Sequence, residues 1–184
     1  MRLAVLVSGT GSILEAIANS ELSVALVVAD RQCSALDKAQ NQNIPTVVLP
    51  RESFGADFDR MAYTEQLTQL LESENIDLIA MAGFGTILEQ PIYERFNQRI
   101  LNTHPSLLPA FPGWDAVQDA LNHGVKISGC TIHLATLEVD SGPILAQEAV
   151  PVFDDDDATT LHERIKKIEK NLYVETIKKI IKQK

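Results

Sequence analysis

With 184 residues, 45% of them apolar, the chain fits one domain and can bury a sizeable core. Its 16 basic and 25 acidic residues leave a net charge of −9, which argues against a nucleic-acid partner but not against a small anion held by backbone N–H groups. No apolar run approaches the ~18 residues of a bilayer span, and Cys33 and Cys130, without C-x-x-C spacing, argue against a disulfide framework or a thiolate zinc site.

The first apolar run, Arg2–Val7, is too short for a signal peptide and reads as a buried strand, so a cytoplasmic location is expected. Ser8-Gly9-Thr10-Gly11-Ser12 follows it and leads into a helical run over Leu14–Ser20. Ser23–Ala29 reads as a second strand, a helix follows from about Ser34 to Gln42, and residues 44–49 form a third strand. Phe58–Glu74 places Leu67, Leu70 and Leu71 on a helical period. Ile76–Met81 and Arg99–Asn102 are the fourth and fifth strands. This strand–helix–strand alternation predicts a parallel sheet covered on both faces. After Gly124 the pattern changes to two longer strands, Gly129–Leu137 and Ile144–Val152. The chain closes on a long helix, where Thr160 and Glu163 fit a capping box and Leu161, Ile165, Ile168, Leu172, Ile177 and Ile180 mark one apolar face. One α/β domain over 1–184 is expected, with a nucleotide- or phosphate-binding half at 1–100 and a catalytic half at 101–184.

Four places carry candidate chemistry. The Ser8–Ser12 turn joins a strand to a helix, so its glycines and free N–H groups suit a phosphate as well as they suit a tight turn. It is not a Walker A loop, and Leu14 stands where a dinucleotide fingerprint needs its third glycine, although Asp30 mimics the ribose-binding acid at the end of the second strand. Asn102 and His104 are two residues apart in an extended segment, so both point to one side at the C-terminal end of a parallel strand, where open α/β sheets bind ligands. Pro105 keeps His104 out of the helical region. An amide beside an imidazole can stabilise an oxyanion and move a proton. Asp140, in the loop between the last two strands, can turn toward the same edge and favour the protonated imidazole, or it can serve as ordinary turn chemistry. Asp154–Asp157 lack the alternating spacing of a calcium loop and read as a solvated loop ahead of a helix N-terminus. His133 alternates with apolar neighbours and reads as a structural strand residue; His123 and His162 show no ligand spacing.

Four segments together, VSGTGS, LNTHPSLLPAFPG, VDSGPILAQEAVPV and LHERIK, resemble the folate-dependent formyltransferases, specifically their glycinamide ribonucleotide transformylase branch. The resemblance runs from Leu3 to about Ile180. It implies a mostly parallel, Rossmann-like sheet with antiparallel C-terminal strands and a long terminal helix. It also implies formyl transfer from 10-formyltetrahydrofolate to the amine of glycinamide ribonucleotide, in purine synthesis, without a metal. Asn102, His104 and Asp140 match the family's catalytic triad. Gly9, Thr10, Gly11, Ser12 and Ile13 match its phosphate-binding turn, and Glu169 its contact to the substrate ribose. Arg60, Gly85, Thr86, Ile87 and Leu88 match its folate pocket, together with Asn102, Val139 and Asp140.

The chain departs from the family pattern at three places. Ile13 replaces a frequent Asn, Gly85-Thr86 stands where a cation often follows Met or Leu, and Trp114-Asp115 stands where a His or Asn often lies beside the acceptor. The last departure keeps a second acceptor in view, an amino sugar carried on a nucleotide. A non-catalytic folate- or nucleotide-binding module is the alternative of a different class. Expected partners are small molecules, with no nucleic acid and no membrane, and the chain is expected as a monomer or homodimer.

Overall fold

The structure is a computed structural model that describes residues 1–53, 55 and 57–183. The chain divides into two compact units, Met1–Leu101 and Asn102–Lys184. The first holds β1 (Leu3–Val7), α1 (Ser12–Ala18), β2 (Val24–Ala29), α2 (Ser34–Asn41), β3 (Thr46–Val48), α3 (Arg60–Ser73), β4 (Leu78–Met81) and α4 (Gln90–Arg95). β5 (Ile100–His104) carries the boundary. The second unit continues with α5 (Ala116–Asn122), β6 (Ile127–Leu134), β7 (Ile144–Pro151) and α6 (Ala158–Lys182). Strand order is β3-β2-β1-β4 in the first unit and β5-β6-β7 in the second.

In the first unit β1 pairs in parallel with both β2 and β4, and β2 pairs in parallel with β3. All five side chains of β1 and all four of β4 are buried, as an apolar run with no polar alternation requires when both sheet faces are covered. Gly11 caps α1 at φ 70°, and a Cβ there would lie 2.7 Å from the Ala35 Cβ, so both backbone conformation and space demand glycine. A Cβ at Gly9 would meet nothing within 4 Å.

In the second unit β6 and β7 form an antiparallel pair, with Thr131 opposite Gln147. α6 packs on both strands. Val117, Cys130, Val150, Leu161 and Ile165 form its buried core, with Ile168 and Leu172 packed against it. No described helix is long and apolar enough to cross a membrane.

Three expectations change. α4 and α5, of six and seven residues, carry no long apolar period and were not anticipated. β5 runs on to His104 rather than stopping at Asn102, so the whole candidate pair lies within a strand. The cap of α6 is Asp157, not Thr160. The Asp157 carboxylate accepts from the Thr160 N–H at 2.8 Å, and the Thr160 hydroxyl accepts from the Asp157 N–H at 2.9 Å. The carboxylate is the better cap acceptor because it carries charge toward the helix N-terminus, so the helix starts one turn earlier and Thr160 becomes its third residue. The neighbouring acids also have partners. Asp156 takes two hydrogen bonds from the Arg164 guanidinium, at 2.6 and 2.7 Å, and Asp154 pairs with Lys126 at 2.7 Å.

Candidate active site

β5 carries Asn102 and His104 on one side and Thr103 on the other, as strand alternation dictates. The segment after it is pinned by Thr131 of β6. That buried hydroxyl donates to the Ser106 carbonyl at 2.7 Å and accepts from the Leu108 N–H at 3.0 Å. The Gln147 side chain of β7 bonds both the Leu108 carbonyl and the Thr131 hydroxyl. The prolines therefore lead into a stretch in which the Ser106 carbonyl and both backbone polar groups of Leu108 have partners.

The His104 side chain is 6% exposed and that of Asp140 5%. His104 Nε2 lies 2.8 Å from the Phe111 carbonyl oxygen. Both ring nitrogens face groups that accept, the carbonyl and the Asp140 carboxylate, and the shorter contact, the one to the carbonyl, places the neutral ring's proton on Nε2. Nδ1 faces Asp140 Oδ2 at 3.3 Å. The same Oδ2 accepts the Gly113 N–H at 2.8 Å. Asp140 reaches this position from a left-handed backbone, φ 57°, a conformation Asp adopts more readily than most residues.

The group that sequence reasoning missed is His133. It is 1% exposed, and its Nδ1 donates to the Leu134 carbonyl at 3.0 Å. Burial holds its pKa below the usual histidine value, against opposing contributions from the Leu134 carbonyl and Asp140. The ring is thus neutral with a lone pair on Nε2, which accepts from Asn102 Nδ2 at 3.2 Å. This fixes the Asn102 amide and leaves its second N–H and its oxygen for a ligand. His133 Nε2 is also 3.7 Å from Asp140 Oδ1, a contact of two acceptors and not a hydrogen bond. Asn102, His104, Asp140 and His133 are therefore one connected group. The available sequence signal was a histidine inside a buried strand, seven residues before an Asp in the connecting loop.

Thr103, facing the other way, donates to Glu169 Oε1 of α6 at 2.6 Å. Glu169 is 7% exposed, and burial pushes its carboxyl above the usual range while the Thr103 hydroxyl opposes the shift. Val139 is exposed, in the loop that delivers Asp140.

In the first unit the expected folate-loop residues divide. Thr86 and Leu88 are buried, Ile87 is exposed, and Arg60 is exposed at the first turn of α3. Thr86 turns inward and donates to Asp30 Oδ2 at 2.8 Å. Gly85 donates its N–H to the Ser8 hydroxyl at 2.7 Å. Asp30 is fully buried and takes two further hydrogen bonds from Arg31, at 2.9 and 3.1 Å. Burial pushes the Asp30 carboxyl up, but bonds from Arg31, Thr86 and Ser8 outweigh it and hold the group below its ordinary value. Both oxygens are engaged inside the protein, so Asp30 is not placed as a ribose-binding acid. The Ser8–Ile13 turn leaves the first N–H groups of α1 without a side-chain cap.

A connected amide, imidazole and carboxylate, two of them nearly buried, can hold a developing oxyanion and relay a proton.

Residues 1–177 match the formyl transferase family. The phosphoribosylglycinamide formyltransferase of Mycobacterium tuberculosis is 42% identical over 96% of this chain and 83% of its own. The crystal structure of phosphoribosylglycinamide formyltransferase from Anaplasma phagocytophilum superposes with a TM-score of 0.90 at 38% identity, covering 100% of this chain and 88% of that one. The enzyme of the same name from Streptococcus pneumoniae gives a TM-score of 0.90 at 34% identity, over 98% of both chains.

Proposed function

The chain belongs to the formyl transferase family, and from that premise we propose that it transfers a formyl group from 10-formyltetrahydrofolate to the amine of glycinamide ribonucleotide, a reading supported by relatives named phosphoribosylglycinamide formyltransferase. The observation that carries the chemistry is the Asn102, His104, Asp140 and His133 group. The acceptor's amine attacks the formyl carbon. The second N–H of Asn102 and a proton on His104 Nδ1 hold the oxygen as it becomes an oxyanion, each donor contributing roughly 3–4 kcal/mol. The Asp140 carboxylate, 3.3 Å from Nδ1, faces the ring that makes this contact. The amine then loses a proton, N10 of the folate gains one, and the bond between the formyl carbon and N10 breaks. The products are the formylated nucleotide and tetrahydrofolate, and no metal is called for in this sequence of steps.

Roles for the remaining residues follow the family resemblance. In the first unit, Gly9–Ile13 take the acceptor phosphate, and Arg60 with residues 85–88 contact the folate. In the second unit, Glu169 contacts the acceptor ribose, and Asn102, Val139 and Asp140 complete the folate set. Small soluble substrates of this kind suit a cytoplasmic enzyme without a nucleic-acid or membrane partner.

The test is an acceptor panel with purified protein and 10-formyltetrahydrofolate. Glycinamide ribonucleotide should yield tetrahydrofolate and a formylated product. Turnover only with an amino-sugar nucleotide would reassign the acceptor, and ligand binding without turnover would reduce the chain to a binding module.

A further inference from the structure

The loop after β5 presents two backbone groups to the catalytic dyad. The Phe111 carbonyl accepts from His104 Nε2 at 2.8 Å, and the Gly113 N–H donates to Asp140 Oδ2 at 2.8 Å. Two residues thus bind both partners of a dyad whose own contact is 3.3 Å. Phe111 achieves this from φ 54°, a left-handed conformation that is uncommon for an aromatic side chain and that turns its carbonyl away from an extended path. Holding that conformation takes an anchor. The Phe111 ring supplies one. It is half-buried and packs on the His123 ring, centroids 5.2 Å apart and planes tilted by 58°. His123 is itself set by its Nδ1, which donates to the Asp119 carbonyl one turn back on α5 at 2.9 Å.

We propose that Phe111 is a positioning residue for His104: its ring, anchored on His123, aims its main-chain carbonyl so that the His104 proton stays on Nε2 and Nδ1 alone meets the reacting atoms. The proposal rests on the functional reading above for its kinetic part only. The carbonyl plays for Nε2 the part that a carboxylate orienter plays for the far nitrogen of a catalytic histidine. Without it the Asp140 carboxylate, the acceptor opposite Nδ1, draws the proton of the neutral ring to that side, and the lone pair moves to Nε2. The ring's packing on His123 is the only part of this device that a side-chain substitution can remove, since the carbonyl is main chain.

The experiment compares Phe111→Gly, Phe111→Tyr and His123→Ala with the wild-type protein. Glycine accepts φ 54° without strain, so Phe111→Gly removes the anchor while leaving the backbone conformation open. Phe111→Tyr keeps the ring. Long-range 15N–1H spectra of protein labelled at its four histidines read the His104 tautomer directly. The expected result is that wild-type His104 shows Nε2–H, that Phe111→Gly shows a mixture, and that Phe111→Tyr restores the wild-type pattern. In Phe111→Gly, kcat falls at least about tenfold while KM moves less than about twofold, and His123→Ala shifts both readouts in the same direction. If Phe111→Gly does not fold, His123→Ala carries the test. An unchanged His104 signature overturns the proposal whatever the rate does, and so does a changed signature with wild-type kcat. A wild-type protein that transfers no formyl group sinks the functional reading instead, and leaves the tautomer result to decide this one.

Discussion

His133 Nε2 lies 3.2 Å from Asn102 Nδ2, and that contact determines which way the Asn102 amide is turned. His133→Phe keeps the ring volume and removes the acceptor, so the amide is free to turn. The expected outcome is a fall in kcat of about 10–100-fold, with His133→Gln partly restoring it because its carbonyl oxygen can accept. Steady-state rates at saturating substrates check this.

The Asp140 carboxylate has two partners of different kind, the His104 ring and the Gly113 N–H. Asp140→Asn retains an oxygen for Gly113 and loses the negative charge that faces His104 Nδ1 at 3.3 Å. The variant should fold as the wild type does, with kcat lower by about 100-fold or more. A thermal melt beside the rate measurement separates loss of chemistry from loss of structure.

Glu169 gives stability a sign with pH. Its folded pKa is raised by burial, so the native state binds the proton more tightly than the unfolded chain does. The contribution is fully present below the unfolded carboxyl value and is lost as pH rises through the folded one. His133 is shifted downward and acts the other way. Its stabilising contribution is present above the ordinary histidine value and is lost as pH falls toward its folded value. Glu169→Gln should therefore be more stable than the wild type at neutral pH and should flatten the decline above the carboxylate range, as measured by urea denaturation across pH.

Two assignments of the α6 cap make opposite predictions. With Asp157 as the cap, Asp157→Ala lowers stability measurably and Glu163→Ala leaves it close to wild type, the reverse of what a Thr160 cap requires. Denaturation of the two variants under one buffer compares them directly.

Gly11 and Gly9 should separate in the same way. Gly11→Ala places a Cβ 2.7 Å from Ala35 in a left-handed residue, and should destabilise by about 1 kcal/mol or more. Gly9→Ala meets no atom and should melt like the wild type. If Gly9 lies against the acceptor phosphate, its KM for the acceptor rises with no change in stability.

The strands of the first unit were legible because a run such as Leu3–Val7 has one physical solution, burial on both faces. The Asn102 and His104 pair was legible for a similar reason, since strand alternation puts residues i and i+2 on one side. α4 and α5 were not, because helices of six and seven residues bury too few side chains to show a period. His133 was hidden by its burial. A polar residue among apolar neighbours looks structural until its partners are known, and those partners come from β5 and from a loop seven residues away. The α6 cap was misplaced by one turn because the run Asp154–Asp157 offers several acceptors in a row, and only the backbone direction selects Asp157.

The buried Asp30 carboxylate holds Arg31 and Thr86 at once, with Ser8 beside it joined to the Gly85 N–H. Divergence at these positions is consequently coupled. A lineage that lost the acid would take away the acceptor of the Thr86 hydroxyl and of two guanidinium hydrogen bonds in the same step, so positions 30, 31 and 86 should drift as a set, and a library that varies position 30 alone should return mostly wild-type survivors.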